Sequence, residues 1–108
     1  MTALRRTASR HEVPEIDAAA LEAARVADLL LAAARELSDR WEGYFAPIPG
    51  RLRDDTLPEL KATVRVARAA YGPKDSVRDL FPAELTEPFL DRLDRLLRAI
   101  NRWEADAG

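Results

Sequence analysis

The chain has 108 residues, enough for one domain with a single hydrophobic core. Apolar residues make up 47% and charged residues 33%, a balance typical of a folded globular domain and too apolar for a wholly disordered chain. The absence of cysteine excludes a disulfide scaffold, thiolate metal sites and a thiol nucleophile, and a net charge of −2 provides no overall field to attract DNA or an acidic membrane.

Residues 1–13 are small, polar and basic, with no periodic apolar face, and predict a flexible basic N-terminal arm. Residues 14–108 are expected to form one helical-bundle domain. No apolar run follows the arginines of the arm, and none in the chain approaches the ~20 residues of a spanning helix. We therefore expect no membrane segment and a cytoplasmic location. The prevalence of Ala, Arg and Leu is typical of a GC-rich genome and favours a bacterial chain.

A long first helix is predicted from Pro14, or from an N-cap at Asp17, to about Tyr44. Its apolar residues recur at alternating spacings of three and four, which places them on one stripe of a helix. The stripe comprises Ala20, Ala23, Ala27, Leu30, Ala34, Leu37, Trp41 and Tyr44. Two prolines and a glycine follow, so residues 46–55 are expected to form a loop.

A second, mid-length helix is predicted to begin with a capping box at Thr56 and Glu59. Its apolar spacing continues to Tyr71. Gly72 and Pro73 are expected to end it, the glycine in the left-handed conformation and the proline as a residue that cannot continue a helix.

The remaining sequence predicts a short helical turn and a last amphipathic helix. Ser76 and Asp79 have the spacing of a capped turn, and the last helix is expected to open at Thr86. Its apolar stripe comprises Phe89, Leu93, Leu96, Ile100 and Trp103. Because no segment of useful length alternates with period two, the fold class is predicted to be all-α, a small helical bundle.

The predicted helix lengths do not match one another. A first helix of about 28–30 residues would extend for some 42–45 Å, whereas helices of about 15 and 18 residues reach only about 23 and 27 Å. Either the short turn completes the intramolecular packing, or part of the first stripe is left for another chain. In the second case the expected interface comprises Ala27, Leu30, Ala34, Trp41, Tyr44 and Phe45, and the partner is a second copy of the chain or another protein.

The sequence lacks the residues that most enzymatic mechanisms require. His11 is the one histidine and lies in the predicted arm, so helical-bundle metal sites, haem ligation and a Ser/His/Asp arrangement have no scaffold-borne imidazole. No glycine-rich phosphate-binding motif is present. We therefore expect no cofactor, no metal and no small-molecule substrate. The expected function is a non-catalytic interaction or assembly module, either a homo-oligomer or a small subunit of a larger complex.

A basic patch provides an alternative function. Its cations are Arg51, Arg53, Lys61, Arg65 and Arg68, the last three spaced to lie on one exposed face of the second helix. Together with the arm they could bind a nucleic-acid backbone in a ribonucleoprotein complex. No aromatic side chain lies among them, so base stacking is not indicated.

The segment Ala33-Ala34-Arg35-Glu36-Leu37 on a long first helix resembles the first-helix arginine segment of the small all-helical chorismate mutases. That resemblance implies a dimeric mutase with a long first helix and two shorter ones. The family also places a lysine about three turns later, and residues 42–49 contain no cation. It uses a polar Gln or Glu late in the last helix, where this chain has Trp103 followed by Glu104.

The segment Trp41-Glu42-Gly43, after one long helix, is similar to the turn of the WXG100 secreted helical hairpins. Tyr71 and Asp75 also match the Tyr-x-x-x-Asp export signal of that family. This resemblance implies a secreted helical protein. The chain departs from the pattern because two prolines follow the Trp-x-Gly segment and further helices follow the Tyr-x-x-x-Asp match.

Overall fold

The computed structural model describes residues 9–73 and 75–107, and within these residues all regular structure is helical. The α-helices are α1 (Pro14–Leu37), α2 (Asp39–Phe45), α3 (Ile48–Asp54), α4 (Leu57–Arg68), α5 (Val77–Leu80) and α6 (Ala83–Ala107). Two 3-10 turns occupy Arg10–Glu12 and Ala69–Tyr71. The predicted fold class, a small all-α bundle, is confirmed.

Helices α1 and α6 form a long pair, and the other helices pack around it. An ion pair between Glu15 and Arg102 joins the start of α1 to the end of α6. Farther along, Glu22 of α1 lies 4.0 Å from Arg92 of α6, so the two helices run antiparallel. Helix α3 packs beside α1, and α4 packs against α6. The largest fully buried side chains include Ile16, Leu30, Leu52, Leu60, Val64, Phe89, Leu93 and Leu96.

The first helix is shorter than the apolar spacing predicts, because it ends at Leu37. Ser38 adopts an extended backbone (φ −164°, ψ 115°), and its Oγ accepts a hydrogen bond from the Trp41 N–H at 3.3 Å. A serine at this position satisfies one of the free amides at the start of the next helix, which stabilises a break between α1 and α2. Leu37 consequently leaves the predicted buried stripe and is 53% exposed.

The predicted loop over residues 46–55 is wrong, because most of this segment forms α3. Pro49 lies in the first turn of α3, where a missing N–H breaks no intrahelical bond. Ile48 and Leu52 are buried against the core and hold the helix in place. The prolines here begin a helix, although the sequence predicts them to end one.

Helix α4 begins with the predicted capping box. The Thr56 N–H donates to Glu59 Oε1 at 2.9 Å, and these hydrogen bonds to the carboxylate lower the pKa of Glu59. The predicted left-handed Gly72 is wrong, since its backbone is extended (φ −65°, ψ 170°). Pro73 favours an extended conformation for the residue before it, so α4 ends through the 3-10 turn at Ala69–Tyr71 instead.

The predicted capped turn is confirmed as α5, where the Ser76 N–H donates to Asp79 Oδ2 at 3.0 Å. Helix α6 begins at Ala83, earlier than predicted from Thr86, and contains Pro88 in its second turn. The carbonyl of Pro82 accepts the N–H groups of Leu85 and Thr86, which starts the helix ahead of the interior proline. With 25 residues, α6 is as long as α1 with 24.

Candidate functional site

The residues predicted to form an open interface lie inside the chain. Ala27, Leu30, Ala34 and Phe45 are fully buried, Trp41 is 7% exposed and Tyr44 is half-buried. The expected overhang does not exist, because α1 and α6 are each about 36–38 Å long at 1.5 Å per residue. These six residues therefore belong to the intramolecular core. Self-association is a separate matter and stays a prediction.

Phe45 is the centre of the aromatic part of this core. Its ring stacks on Trp41 at a centroid distance of 5.6 Å and meets Tyr44 edge-on at 5.5 Å. It also packs edge-on against Phe81 at 6.4 Å and Phe89 at 6.2 Å. Edge-on and offset contacts are the arrangements that aromatic rings prefer. The contact between Phe45 and Phe89 thereby fixes α2 to α6.

The cations of the predicted basic patch do not form one free face. Three of them are paired with carboxylates of other helices: Arg53 with Asp28, Lys61 with Glu104 and Arg68 with Asp94. Arg53 makes two hydrogen bonds to Asp28, of 2.6 and 3.2 Å, and this carboxylate raises the pKa of the guanidinium. Lys61 and Arg68 face α6 at nitrogen–oxygen distances of 2.7 and 3.0 Å. The face expected to be free instead connects α4 to the bundle.

Arg51 and Arg65 are the remaining members of the patch. Both are exposed, and neither belongs to an ion pair of the described residues, although the charge of Arg51 acts on Glu59 and contributes to lowering its pKa. Two exposed cations, one of them close to a carboxylate, provide far less positive potential than the five that the sequence suggested. Binding to a nucleic-acid backbone through this surface stays a prediction, but its expected strength falls.

That expectation can be tested through the salt dependence of binding. With two free cations, we expect no gel shift of single-stranded RNA or duplex DNA near physiological salt, and at low salt a slope of about −2 or shallower in log K against log salt. Tight binding with a slope of about −4 or steeper would show that cations beyond these two, from the arm or from opened ion pairs, also contact the phosphates. The control variant is Arg51→Gln with Arg65→Gln, which removes the two free charges and keeps all three ion pairs.

Arg10 is buried, although the sequence predicts that it belongs to the flexible N-terminal arm. Its side chain is only 8% exposed, and its Nε donates to Asp17 Oδ1 at 3.0 Å. Its Nη1 donates to the carbonyl of Asp55 at 3.2 Å, while Nη2 is buried without a hydrogen-bond partner among the described residues. Arg10 thus joins the segment before α1 to the end of α3. No local pattern distinguishes this arginine from the others near the N-terminus.

The predicted boundary between arm and domain stays a prediction. Residues 1–8 of the arm lie outside the described residues. Of the remainder, Arg10–Glu12 form a 3-10 turn and Val13 is half-buried against the core.

Tyr71, Arg78 and Glu87 form a cluster between α5 and α6. Arg78 donates two hydrogen bonds to Glu87, of 2.8 and 3.0 Å, and lies over the ring of Tyr71 at 5.2 Å. The guanidinium lowers the pKa of Glu87, while burial, reinforced by the Glu87 charge, raises the pKa of Tyr71. The Tyr71 hydroxyl donates to the carbonyl of Thr86. Arg78 thereby favours the ionised form of Glu87 and takes up its carboxylate oxygens, and the cluster connects α5 to α6.

The structure also shows the surroundings of the three segments on which the two family resemblances depend. Trp41 and Gly43 lie within α2, so the Trp-x-Gly segment forms no hairpin turn. The Tyr71 hydroxyl of the export-signal match is bonded to the backbone of α6. Arg35, the counterpart of the mutase arginine, is exposed and lies 3.5 Å from Glu42. At these positions the described residues form neither a hairpin turn nor a mutase-like active site.

Helix α1 carries exposed apolar side chains on the face that the bundle leaves uncovered. Its exposed residues at spacings of three and four are Ala18, Leu21, Arg25, Leu29, Ala32 and Glu36, which we call the outer face of α1. Leu21 is 39% exposed and Leu29 is 56% exposed. The apolar spacing does not predict this face, because it marks the buried stripe on the opposite side of the same helix.

Two shallow surface depressions accompany these features. The first, of about 260 Å³, lies between α1 and α6 and is lined by Ala18, Ala19, Glu22, Arg92 and Arg95. The second, of about 340 Å³, lies between α3 and α4 and is lined by Arg51, Asp55, Glu59, Ala62, Thr63 and Val66. Both are open to solvent. Asp91 contacts both arginines of the first, at 2.7 and 3.1 Å, so these cations are already occupied.

Residues 9–73 and 75–107 contain no group of three or more His, Asp or Glu side chains placed to hold a metal ion. Across the same residues, no helix has both the length and the apolar character needed to cross a membrane. Comparisons with protein-family models, curated proteins and solved structures find no match to this chain.

Proposed function

We propose that this chain is a non-catalytic helical module that acts by binding protein through the outer face of α1. The observation that carries the proposal is the placement of its exposed large apolar side chains. Within the described residues, Leu21 and Leu29 lie on this face, Leu37 lies at the end of α1 outside it, and Val66 and Leu80 lie on other helices. Single exposed leucines are ordinary, but two on one uncovered face of a helix are typical of a contact surface.

The proposal is energetically reasonable for a weak or transient contact. Complete burial of a leucine contributes about 1.5–3 kcal/mol, so removing the exposed half of Leu29 from water contributes about 1 kcal/mol. Leu21 and the neighbouring alanines add smaller amounts. The sum must offset the entropy lost on association, which limits this face to a modest affinity unless polar contacts contribute as well.

The polar groups of the chain support a structural role. Arg53–Asp28, Lys61–Glu104 and Arg78–Glu87 connect helices to one another. The hydrogen bonds from Arg78 lower the pKa of Glu87 and favour its charged form, which makes this carboxylate a weaker proton acceptor. The cytoplasm is proposed as the compartment, on the sequence argument alone.

Site-specific photo-crosslinking tests the proposed function. A benzophenone side chain at Leu29 is expected to crosslink the chain to protein in the cells that produce it. The same group at Ala62, an exposed residue of α4, is the matched control and is expected to give little product. Equal yields at the two positions, or no product at Leu29, would contradict the proposal.

A further inference from the structure

We propose that the partner on the outer face of α1 is a second copy of this chain, docked antiparallel so that Arg25 of each copy faces Glu36 of the other. This inference rests on the proposed function and makes it more specific, since it names the partner and the register. It is carried by the charges and side-chain sizes along the outer face.

Arg25 and Glu36, the two charged residues of this face, can meet only between chains. Arg25 and Glu36 are both exposed and lie 11 positions apart, about 16 Å along the helix axis, which is too far for an ion pair within α1. In an antiparallel pair with a two-fold axis near the midpoint of these residues, both Arg25–Glu36 contacts form at once. A parallel pair would place Arg25 against Arg25 and Glu36 against Glu36. The charge order therefore selects the antiparallel arrangement.

The side-chain sizes agree with the same register. If Arg25 lies opposite the partner's Glu36, then Leu29 lies opposite the partner's Ala32, and Ala32 opposite the partner's Leu29. A large side chain thus meets a small one on both sides of the axis, an arrangement that lets two helices approach and interdigitate. Leu29 is 56% exposed in the single chain, so it has apolar surface left to bury.

The free chain keeps these groups available. Arg25 contacts Glu22 at 3.1 Å, but both side chains are more than half exposed, and such a pair holds an arginine only weakly. Glu36 is exposed and forms no ion pair within residues 9–73 and 75–107.

The contact between the two copies of α1 is short, and its small area limits the affinity of the dimer. Leu21 would face position 40 of the partner, beyond the break at Ser38, so the paired region covers about three turns of each α1. An interface of this size is at the small end of specific protein contacts. We therefore expect a dimer that forms and dissociates readily, with a dissociation constant in the micromolar range or weaker.

Sedimentation equilibrium with charge-swap variants tests the inference. Over about 10 µM to about 1 mM, the average mass should rise from 12.1 kDa toward twice that value. Arg25→Glu or Glu36→Arg alone places like charges together at both ends of the contact and should weaken dimerisation about tenfold or more. The double variant restores opposite charges and should recover most of the affinity. Circular dichroism checks that all variants are folded.

The rescue is specific to the proposed register. Arg25→Glu leaves Glu22 beside a second carboxylate in both the single and the double variant, so recovery cannot come from within the chain. Because the chain has no cysteine, a disulfide provides a second readout. Leu29→Cys mixed with Ala32→Cys should oxidise to a crosslinked dimer, while Leu29→Cys mixed with Ala62→Cys should not.

The outcomes separate this inference from the proposed function. A monomer at every concentration, together with crosslinks from Leu29 to other proteins, would overturn the second-copy inference and leave the proposed function intact. A dimer whose charge-swap variant is not rescued would overturn the register. A monomer without crosslinks from Leu29 would contradict both.

Discussion

Replacing Leu30 by glutamate is expected to unfold the chain, whereas the same replacement at the neighbouring Leu29 is expected to leave it folded. Leu30 is completely buried and Leu29 is 56% exposed, although both lie in the middle of α1. At position 30 the carboxylate would enter an apolar core without a partner. The cost of several kcal/mol is comparable to the whole stability of a domain, about 5–15 kcal/mol.

The pair of variants controls for everything except burial. Both introduce the same side chain into the same helix, and an exposed substitution such as Leu29→Glu changes stability by only about 0.5 kcal/mol. Thermal unfolding followed by circular dichroism is the measurement. Similar melting curves for the two variants would show that the buried face of α1 is misassigned, and with it the outer face on which the dimer is proposed.

Phe45→Ala is expected to lower the free energy of unfolding by about 3–5 kcal/mol. Phe45 is fully buried, and its ring contacts Trp41 at 5.6 Å and Phe89 at 6.2 Å. Its removal leaves a cavity between α2 and α6 and deletes the ring contacts of the cluster. In a chain of this size such a loss lowers the melting temperature by more than about 12 °C.

The control for this prediction is Tyr44→Phe, at the adjacent position. It keeps the ring and removes only the hydroxyl that donates to the carbonyl of Val66, so we expect a loss of about 0.5–1.5 kcal/mol. Chemical denaturation of both variants gives the comparison directly. A loss at Phe45 no greater than at Tyr44 would show that the cluster relaxes around the missing ring and does not hold α2 in place.

Several elements could be predicted because their causes are local. The capping boxes at Thr56 and Ser76 involve residues three positions apart, and both appear where the spacing places them. The buried residues of α4 and α6 follow the 3.6-residue period, as Leu60, Leu93 and Leu96 show. The apolar residues of an amphipathic helix recur at spacings of three and four, and this spacing identifies both the helix and its buried face. The all-α fold class could therefore be predicted from the sequence.

The helix boundaries could not be predicted in the same way. The apolar spacing runs unbroken through Ser38, yet the serine caps a new helix there. Pro49 lies in α3, where the sequence predicts a loop, and Pro88 lies inside α6, which begins three residues before its predicted start. A serine or a proline can stand at the start or at the end of a helix, and contacts with segments far away in the sequence decide between the two.

The amino-acid sequence by itself determined that this chain is all-α and which face of each main helix is apolar, because both depend on residues within a few turns of each other. Only the tertiary structure decided that α1 and α6 have matching lengths, that Arg10 is buried, and that Lys61 and Arg68 are paired with α6. These features depend on contacts between segments far apart in sequence. Which face of α1 stays exposed is likewise known only once every other helix has taken its place.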